Sequence, residues 1–542
     1  MIEQPSIPLS ILATRLPQAR AQGDQRTIVR GITHDSRLVK PGDLFVCLAG
    51  AVHDGHRFGA QALEAGAVAL LVNEGGLERA RVAPPARASI LAVPDTRKAL
   101  PLAACALYGD PSHTMTVVGV TGTNGKTTTT HMVAAILRAS GQKVGTIGTL
   151  GAELDGRPIS SEHTTPEADQ LQGLLAQMRE GDADAVVMEV SSHALAQNRT
   201  DGIAFSAGIF TNLTQDHLDF HGTMDAYFSA KARLFADYPV RYPRPNGAEF
   251  VAVINTSAWE GRYLVTLARG EIVTFALDDK AAALRAEHVH VEPDRTEFEA
   301  VYDSGSEVFH LPITLPVGGA FQVGNALAAM GACLGLGISW DKIVEGLAHL
   351  APVPGRFEAV ATGSRGFSVV VDYAHTPDGL ENLLRSAQEL SSGRTPNGRP
   401  QGRILLVFGC GGDRDRGKRP IMGGIAAKLA DVAIVTSDNP RSEEPRTIID
   451  AILTGMEPGD EMRPCEPPLE GCPYGLPMEG RARVLIEPDR REAIHAALSQ
   501  AQPGDIVLIA GKGHEDYQIV GDRTLPFDDR QVAREWLARK AR

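Results

Sequence analysis

The 542-residue sequence predicts an α/β protein built from three domains. A chain of this length is too long for a single hydrophobic core, and the length alone suggests about three or four domains. Apolar segments of strand length alternate with amphipathic segments of helix length, which is typical of parallel strands joined by crossover helices. A glycine-rich turn, TGTNGKT at 121–127, stands between one such strand and one such helix.

The predicted boundaries follow from where this alternation restarts. An N-terminal α/β domain at 1–112 has a turn and strand at 42–48 and a buried strand at 67–72. A central domain at 113–352 opens with a strand at 115–120, and a C-terminal domain at 353–542 follows the sequence Val-Pro-Gly-Arg at 353–356. Further strands are expected at 144–149, 185–190, 208–213 and 251–255 in the central domain, and at 367–372, 403–408, 432–436 and 506–510 in the C-terminal one. Helices are expected at 131–139 and near 326–337.

Composition and charge exclude several functional classes. The formal net charge of −13 argues against general binding to nucleic acid or to anionic membranes, so anionic ligands must meet local basic clusters. The first ten residues lack the pattern of a signal peptide, and the longest apolar run, 326–338, has the length of a buried core helix. Six scattered cysteines indicate a reducing compartment. We therefore expect a cytoplasmic protein with small-molecule substrates and no stable membrane insertion.

Two segments interrupt the alternation. The stretch 391–402 is polar and rich in Gly and Pro, and 458–480 is rich in Pro and contains Cys465 and Cys472. Two cysteines do not make a structural zinc site, which needs four ligands. We expect both segments to be surface loops.

The turn at 121–127 has the chemistry of a phosphate-binding loop. Its glycines allow several backbone N–H groups to point into one concavity at the positive end of a helix dipole. Lys126 would reach the terminal phosphates, and the Thr127 hydroxyl would take a magnesium position. The strict pattern needs a glycine where this chain has Val120, so the loop is a compact variant. The alternative, an ordinary glycine turn with an exposed lysine, does not explain why strand, glycines, Lys-Thr and helix coincide.

Polar clusters follow two further strands of the central domain. In doubly wound sheets ligands bind at the carboxyl ends of strands. Glu189, which ends one strand, is suited to Mg²⁺ because that ion prefers hard oxygen ligands shared with phosphates. The segment 212–219 is dense in metal- and proton-handling groups, although Asp216 and Asp219 could also serve as helix caps. Lys231 lies on a mostly apolar helix, where its stem could simply extend along the surface.

Together these motifs resemble the Mur ligases, ATP-dependent enzymes that form amide bonds in peptidoglycan precursor synthesis. The resemblance spans the chain from Asp35-Ser36-Arg37 to Asp528-Asp529-Arg530 and is carried by GTNGKT at 122–127, EVSSH at 189–193, NLTQDH at 212–217, DYAHTP at 372–377, GGDRD at 411–415, DNPR at 438–441 and GKGHE at 511–515. The pattern is most similar to members that add 2,6-diaminopimelate. In the family reaction ATP phosphorylates the D-glutamate γ-carboxylate, and the amine of the incoming amino acid attacks the acyl phosphate.

The resemblance implies roles for the residues of the central domain. The catalytic residues would be Lys126, His217 and Lys231, with Lys231 carbamylated by CO₂. Burial favours this modification because it lowers the pKa of a lysine and frees the neutral amine that CO₂ needs. Magnesium would be held by Thr127, Glu189, His217 and carbamylated Lys231. ATP would bind to Gly122, Thr123, Asn124, Gly125, Lys126, Thr127, Thr128, Asn325 and Arg356.

The resemblance also assigns the other two substrates. The UDP-muramoyl dipeptide would bind in the first two domains, at His34, Ser36, Ala51, Val52, His53, His163, Thr164, Thr165, Ser191, Gln197 and Arg199. Diaminopimelate would bind in the C-terminal domain, at Arg414, Asp438, Asn439, Pro440, Arg441, Gly511 and Glu515. Selecting it over lysine requires recognition of its distal carboxylate, for which arginine is suited because its guanidinium binds a carboxylate bidentately. Arg441 alone could instead be part of a surface salt bridge.

Two other functions are open, and the chain differs from the family pattern at two places. Folylpolyglutamate synthetase shares the phosphate loop and the carbamylated lysine, but the domain before the loop and the DNPR motif disfavour it. A non-catalytic nucleotide-binding relative would not need Lys126, Glu189, His217 and Lys231 together. The chain lacks the acidic residues that relatives carry after Asn255, and it has Phe321-Gln322 where Phe-Asn is commoner. We expect a monomer.

Overall fold

The computed structural model of the protein describes residues 5–50, 53–79, 88–159, 164–391, 402–456 and 482–539. Three main sheets follow one another along the chain, and each is flanked by helices. None of the helices in these ranges is long and apolar enough to cross a bilayer. Four cysteines, Cys47, Cys105, Cys333 and Cys410, are buried free thiols, whereas Cys465 and Cys472 lie outside the described residues.

The N-terminal sheet has five strands in the order β2-β7-β6-β5-β4, parallel except for the antiparallel pair of β2 with β7. Its strands and those of a small second pair, β1 with β3, are β1 (Ile7–Pro8), β2 (Arg20–Gln22), β3 (Ile28–Val29), β4 (Gly31–Thr33), β5 (Asp43–Val46), β6 (Ala69–Asn73) and β7 (Ser89–Val93). The helices are α1 (Leu9–Thr14), α2 (Gly59–Glu64), α3 (Gly76–Arg79) and α4 (Thr96–Tyr108). β5 is buried along its whole length, as expected of a strand covered on both faces.

The central sheet has eleven strands, β8 (Thr116–Thr121), β9 (Val144–Gly148), β10 (Gly151–Leu154), β11 (Arg157–Ile159), β12 (Ala185–Glu189), β13 (Ala207–Phe210), β14 (Val251–Asn255), β15 (Glu271–Phe275), β16 (Leu284–Val291), β17 (Thr296–Asp303) and β18 (Val308–Leu315). Its helices are α5 (Lys126–Ala139), α6 (Ala168–Glu180), α7 (Ser192–Ala196), α8 (Leu218–His221), α9 (Met224–Ala236), α10 (Tyr238–Arg241), α11 (Trp259–Leu267), α12 (Phe321–Gly335) and α13 (Trp340–Ala348). α5, α12 and α13 cover one face of the sheet, and α6, α9 and α11 cover the other.

The order of this sheet, β11-β10-β9-β12-β8-β13-β14-β15-β16-β17-β18, is parallel only in its middle. β10 and β11 extend one end as antiparallel strands, and β17 and β18 extend the other. The expectation of parallel strands alone therefore missed both ends. The first five residues of β17 alternate between buried and partly buried, as expected of a strand with one face covered more fully than the other.

The C-terminal sheet has the order β19-β20-β24-β21-β22-β23 and is parallel except at β19. Its strands, with the separate hairpin β25–β26, are β19 (Glu358–Val360), β20 (Ser368–Asp372), β21 (Ile404–Phe408), β22 (Val432–Val435), β23 (Arg483–Ile486), β24 (Ile506–Ala510), β25 (Tyr517–Val520) and β26 (Arg523–Pro526). The helices are α14 (Pro377–Ser391), α15 (Lys418–Leu429), α16 (Pro445–Leu453), α17 (Arg490–Gln500) and α18 (Asp529–Arg539). Helices pack on both faces, as in a Rossmann-like domain.

Candidate active site

A cavity of about 700 Å³ lies between the central and C-terminal domains. The segments that follow β8, β12, β13 and β14 line one side, and those that follow β20 and β21 line the other. The carboxyl edges of two parallel sheets therefore face each other across it. Of the residues expected to act, the lining includes Gly122, Thr123, Asn124, Gly125, Lys126, Thr127, Thr128, Thr164, Thr165, Glu189, Ser191, Arg199, His217, Lys231, Asn325, Arg356 and Arg414.

The glycine-rich loop depends on two glycines. Gly122 has φ +149°, and a Cβ there would collide with the Thr211 hydroxyl. Gly125 has φ +83° and precedes α5, and a Cβ there would collide with the Asn325 amide. Because neither position tolerates a side chain, the backbone can approach a ligand closely at the start of α5. The helix begins at Lys126, five residues before the predicted start.

Lys126 folds back over the loop that carries it. Its Nζ donates to the carbonyl oxygens of Gly122 at 3.0 Å and Thr123 at 2.8 Å. Burial lowers its pKa from the usual value, opposed by the negative charges of Glu189 and Asp216. The ammonium is thus held at the rim of the concavity where phosphates would sit.

Glu189 is a buried carboxylate, with 1% of the residue exposed. Its Oε1 accepts from the Thr149 backbone N–H at 2.8 Å, and its Oε2 accepts from the Thr149 hydroxyl at 3.1 Å. Among the described residues it forms no ion pair. A buried, unpaired carboxylate is costly, and a divalent cation with Thr127 as a second oxygen ligand would compensate for it. The site therefore fits Mg²⁺.

Lys231 projects from α9 into the same cavity and is 1% exposed. Its Nζ donates to the carbonyl oxygen of Gly122 at 2.7 Å and lies 4.6 Å from the centre of the Tyr227 ring. It forms no ion pair with any residue that the structure describes. Burial, reinforced by the positive charge of Lys126, holds the pKa of Lys231 well below its ordinary value. The side chain does not extend into solvent, and its environment favours a neutral amine.

His217 lies at the centre of a group of aromatic and imidazole rings. Its ring is 4.7 Å from that of His193, and its Nε2 is 3.3 Å from Asp216. Burial lowers the pKa of His217, and it lowers that of His193 to about 4. A neutral imidazole is the form that binds a metal. His217 itself has φ +53°, a left-handed conformation that turns the chain into α8.

Two contacts cross the cavity from the C-terminal domain to the loop. Arg356 Nη2 donates to the Thr127 hydroxyl at 2.9 Å, and its guanidinium lies over the Tyr373 ring at 4.6 Å. The Asn124 side chain donates to Asp378 at 2.5 Å. Asp378 was not predicted as a site residue. Its position after Pro377, in the first turn of a helix, would predict only that its negative charge stabilises the helix N-terminus.

The residues expected to bind the muramoyl peptide form one network beside Glu189. The Thr165 hydroxyl donates to the Glu189 carbonyl at 2.9 Å and accepts from the Ser191 N–H. Arg199 donates to the Thr165 carbonyl and to the side chain of Gln197. Thr164 is 3.2 Å from the Thr149 hydroxyl. Arg199 also pairs with Glu167, which lies within 3.4 Å of Arg97 from the N-terminal domain.

The residues expected to bind the UDP end lie on the N-terminal domain, away from the cavity lining. His34 is hydrogen-bonded to Asp169 of α6 at 2.8 Å, so it joins the first two domains. Burial opposes its protonation, but Asp169 outweighs burial and raises the pKa of His34. Ser36 is half-buried and His53 is exposed. Ala51, Val52 and His163 lie outside the described residues.

The residues expected to bind diaminopimelate form a second cluster at the carboxyl edge of the C-terminal sheet. The Asn439 amide donates to Glu515 at 2.8 Å, and a Cβ on Gly511 would lie 3.3 Å from Asp438. Pro440 continues this loop into Arg441. Arg414, which lines the cavity, follows the Gly411-Gly412 turn beside the Asp438–Arg441 loop. The cluster expected to bind diaminopimelate therefore meets the cavity at Arg414.

Arg441 is held by its backbone and by its side chain. Its N–H donates to the Ile519 carbonyl, and its own carbonyl accepts from the Gly521 N–H, so the loop pairs with hairpin β25–β26. Its Nη1 donates to the Gly412 carbonyl at 2.8 Å. No acidic side chain forms an ion pair with it among the described residues, so the alternative of a surface salt bridge finds no partner there.

Two residues at the places where the chain departs from the family pattern form hydrogen bonds near the nucleotide loop. Asn255 donates to the Thr211 carbonyl at 2.7 Å and accepts from the Ser257 N–H. Gln322 accepts from the Asn325 amide at 2.8 Å, which orients Asn325 toward the loop. Asn255, which the chain retains before the missing acidic residues, and Gln322, which stands where Asn is commoner, thus each hydrogen-bond to a residue that lines the cavity.

Comparisons with known proteins cover nearly the whole chain. Three family models match in order: "Mur ligase family, catalytic domain" at residues 28–108, "Mur ligase middle domain" at 120–333 and "Mur ligase, glutamate ligase domain" at 355–513.

Curated relatives and a solved structure bear similar names. The UDP-N-acetylmuramoyl-L-alanyl-D-glutamate–2,6-diaminopimelate ligase of Geobacillus thermodenitrificans is 42% identical over 528 residues, covering 97% of this chain and 98% of the relative. That of Syntrophomonas wolfei is 44% identical over 518 residues, covering 95% and 96%. A solved structure of a ligase with the same name is 30% identical, with a TM-score of 0.65 and coverage of 99% and 100%.

Proposed function

Because the chain belongs to the Mur ligase family, we propose that it joins meso-2,6-diaminopimelate to UDP-N-acetylmuramoyl-L-alanyl-D-glutamate with conversion of ATP to ADP. This is the reaction for which its curated relatives at 42–44% identity are named. The chain is an ATP-dependent ligase of peptidoglycan precursor synthesis.

One observation carries the proposal: a phosphate loop lines one cavity together with a buried carboxylate and a buried lysine, neither of which forms an ion pair with a described residue. Lys126, Glu189 and Lys231 all open into it, and Arg414 connects it to the cluster that contains Arg441. A phosphate cradle alone would serve any nucleotide enzyme. The additional carboxylate and lysine suit the activation of a second anion, the substrate carboxylate.

The first step brings two anions together. An oxygen of the D-glutamate γ-carboxylate attacks the γ-phosphorus of ATP, ADP leaves, and an acyl phosphate remains. Lys126, at the rim of the loop, offsets the charge of the phosphates, and the N–H groups at the start of α5 bind them. Arg356 lies against Thr127 in the structure and would exchange this contact for a phosphate oxygen when ATP binds.

Mg²⁺ would be held by Thr127, Glu189, His217 and carbamylated Lys231, and it would supply charge neutralisation between carboxylate and phosphate. Thr149 fixes the Glu189 carboxylate for this task through two hydrogen bonds. Burial lowers the pKa of His217, which favours the neutral imidazole that a metal requires.

The environment of Lys231 supports its carbamylation. Its Nζ attacks the carbon of CO₂, loses one proton to solvent and becomes a carbamate anion. The buried amine without a carboxylate partner favours the neutral nucleophile that this reaction requires. The product turns a costly buried base into an oxygen ligand.

The second step uses the C-terminal cluster. The amine of diaminopimelate attacks the acyl carbon, phosphate leaves, and the nitrogen loses a proton. Arg414 and Arg441 would bind the distal carboxylate, and Glu515, with Asp438 and Asn439, would bind the distal ammonium. Their contiguity with the cavity through Arg414 supports delivery of the amine to the acyl phosphate.

The remaining assignments complete the proposal. The UDP end would bind near His34, Ser36 and 51–53 in a domain at 1–112, ATP in a domain at 113–352, and the amino acid in a domain at 353–542. Thr164, Thr165, Ser191, Gln197 and Arg199 would bind the muramoyl peptide. We propose a monomer that works in the cytoplasm, where its nucleotide substrates are made.

The test is release of ADP from ATP and UDP-muramoyl dipeptide, with diaminopimelate, lysine, ornithine or glutamate as the amine. We expect ADP release and a peptide product only with diaminopimelate. Preference for lysine would contradict the amino-acid assignment. Activity with a folate and glutamate instead of the UDP substrate would indicate a folylpolyglutamate synthetase, and nucleotide binding without turnover would indicate a non-catalytic relative.

A further inference from the structure

Lys512 is a fully buried lysine, with 0% of the residue exposed, directly behind the diaminopimelate cluster. Its Nζ lies 3.2 Å from Glu515 Oε2, 3.2 Å from Asn439 Oδ1 and 3.6 Å from Asp438 Oδ1. That oxygen of Asp438 makes no hydrogen bond with the described residues. Lys512 is therefore the cation that offsets the buried carboxylate of Asp438 and the partly buried one of Glu515.

The contacts of Lys512 determine which way the Asn439 amide points. Asn439 Oδ1 accepts from Lys512 Nζ and from the Ile519 N–H at 3.0 Å. Its Nδ2 must then face Glu515 Oε2, to which it donates at 2.8 Å. One ammonium thus fixes the amide and, through it, the carboxylate.

The same contacts leave one side of Glu515 open. Its Oε2 accepts from both Lys512 and Asn439, while Oε1 faces Tyr373, whose hydroxyl is 3.5 Å away and whose ring lines the cavity. The hydrogen bond that the Tyr373 hydroxyl donates to Oε1 is long, so a substrate ammonium that reaches Oε1 competes only with this one contact among the described residues.

The ionisable side chains around Lys512 carry a net negative charge. Two carboxylates, Asp438 and Glu515, and one ammonium, Lys512, sum to one negative charge. Behind them, Arg490 and Asp529 form a buried pair at 2.7 Å that is neutral by itself. A substrate ammonium that reaches Glu515 would therefore meet a net negative charge from these three side chains.

We propose that Lys512 is a positioning residue for amino-acid selection, which fixes Glu515 and Asn439 so that Glu515 can accept a substrate ammonium. This inference rests on the proposed function, because it assigns the pocket to diaminopimelate. Lys512 does not belong to the lining of the cavity, and it acts through Glu515 and Asn439.

The experiment compares steady-state constants of the full-length enzyme with Lys512→Met, Lys512→Arg and the control Lys428→Met, an exposed lysine of the same domain. Loss of a charged hydrogen-bond partner predicts a KM for diaminopimelate raised about tenfold or more in Lys512→Met. The KM for ATP should stay within about twofold, because the phosphate loop is on another domain. Lys512→Arg should restore most of the lost affinity, and Lys428→Met should behave as the wild type.

A double variant separates positioning from mere packing. If Lys512 acts through Glu515, Lys512→Met should add little to the KM already raised by Glu515→Gln, since coupled residues are not additive. Should Lys512→Met not fold, judged by nucleotide binding, Lys512→Gln is measured in its place.

Three results would overturn the inference: an unchanged KM for diaminopimelate, an equal fall in kcat with every substrate constant unchanged, or full additivity with Glu515→Gln. Wild-type enzyme is measured first. If it shows no turnover with diaminopimelate, the proposed function fails; if it does and Lys512→Met matches it, only the role of Lys512 fails.

Discussion

Lys126 and Lys231 donate to the same acceptor, the carbonyl oxygen of Gly122, at 3.0 and 2.7 Å. Two ammonium groups on one carbonyl would repel each other in a buried site. Neither lysine forms an ion pair with a described residue, but burial and Lys126 hold the pKa of Lys231 well below its ordinary value, whereas the charges of Glu189 and Asp216 oppose the effect of burial on Lys126. Lys231 is therefore the neutral partner, and the shared carbonyl keeps it beside the phosphate loop.

The first prediction concerns the folding stability that is lost by burying Lys231. Lys231→Met should abolish turnover yet raise the thermal unfolding midpoint in bicarbonate-free buffer, because a buried amine is replaced by an apolar side chain of similar size. The carbonyl of Gly122 keeps Lys126 as its donor. About 1 kcal/mol of stabilisation would appear as roughly 2–4 °C in a domain of this size.

The gain in folding stability from Lys231→Met should depend on pH. Since the folded-state pKa of Lys231 is depressed, the unfolded chain holds one more proton at neutral pH, and protonation favours unfolding. This penalty shrinks as pH rises toward the unfolded pKa. The advantage of Lys231→Met should therefore be larger at pH 7 than near pH 10. A loss of stability at both pH values would contradict the interpretation.

The second prediction concerns magnesium. Glu189→Gln preserves the shape of the side chain but removes a buried charge that forms no ion pair with a described residue. The half-saturating Mg²⁺ concentration for ADP release should rise about 10- to 100-fold or more, the range seen when even outer-shell partners of a metal are lost. Glu180→Gln, at the exposed end of α6, is the matched control. An unchanged Mg²⁺ titration in Glu189→Gln would remove this residue from the metal site.

The third prediction concerns amino-acid choice. Arg441→Ala should raise the KM for diaminopimelate about 10- to 100-fold, because a hydrogen bond to a charged group contributes about 1.5–3 kcal/mol to binding. The KM for ATP should be little affected. Arg446→Ala removes an exposed arginine of α16 that pairs only with Asp450 among the described residues, and it should change neither constant. Equal effects of the two substitutions would count against a specific role for Arg441.

The fourth prediction concerns the junction of the first two domains. Asp169 raises the pKa of His34, so the charged pair stabilises the folded state below the unfolded pKa of histidine, about 6.5, and this contribution is lost as pH rises through the folded pKa. The difference in unfolding midpoint between wild type and His34→Gln should be large at pH 5.5 and small at pH 8.5. Asp169→Asn should remove the same pH dependence. A difference that does not vary with pH would show that the imidazole charge plays no part.

Local pattern was sufficient for part of this structure. The order of apolar strand, glycines and Lys-Thr located the loop, and β12 and β24 were predicted within one residue. The antiparallel ends of the central sheet were missed because β16–β18 do not alternate with helices. Helix α5 was predicted to start late because its first turn, from Lys126 to Thr130, contains no apolar side chain.

Contacts distant in sequence could not be predicted. The positions of Glu189, Lys231 and Gly122 around one cavity depend on the sheet order β9-β12-β8-β13, which sequence periodicity does not determine. For Lys231, composition favoured a side chain extended along the surface, and only the family resemblance indicated otherwise. Lys512 lay within a recognised motif, but its role became visible only when Asp438 and Glu515 were found on both sides of it.

The most direct test of the account is transfer of oxygen-18 from the D-glutamate γ-carboxylate of the UDP-muramoyl dipeptide. Attack of that carboxylate on ATP, followed by attack of diaminopimelate on the acyl carbon, requires one labelled oxygen to leave with inorganic phosphate. We expect phosphate to carry the label in step with ADP release, and only when diaminopimelate is converted to product. Product formed with unlabelled phosphate would contradict the proposal that this cavity activates a carboxylate.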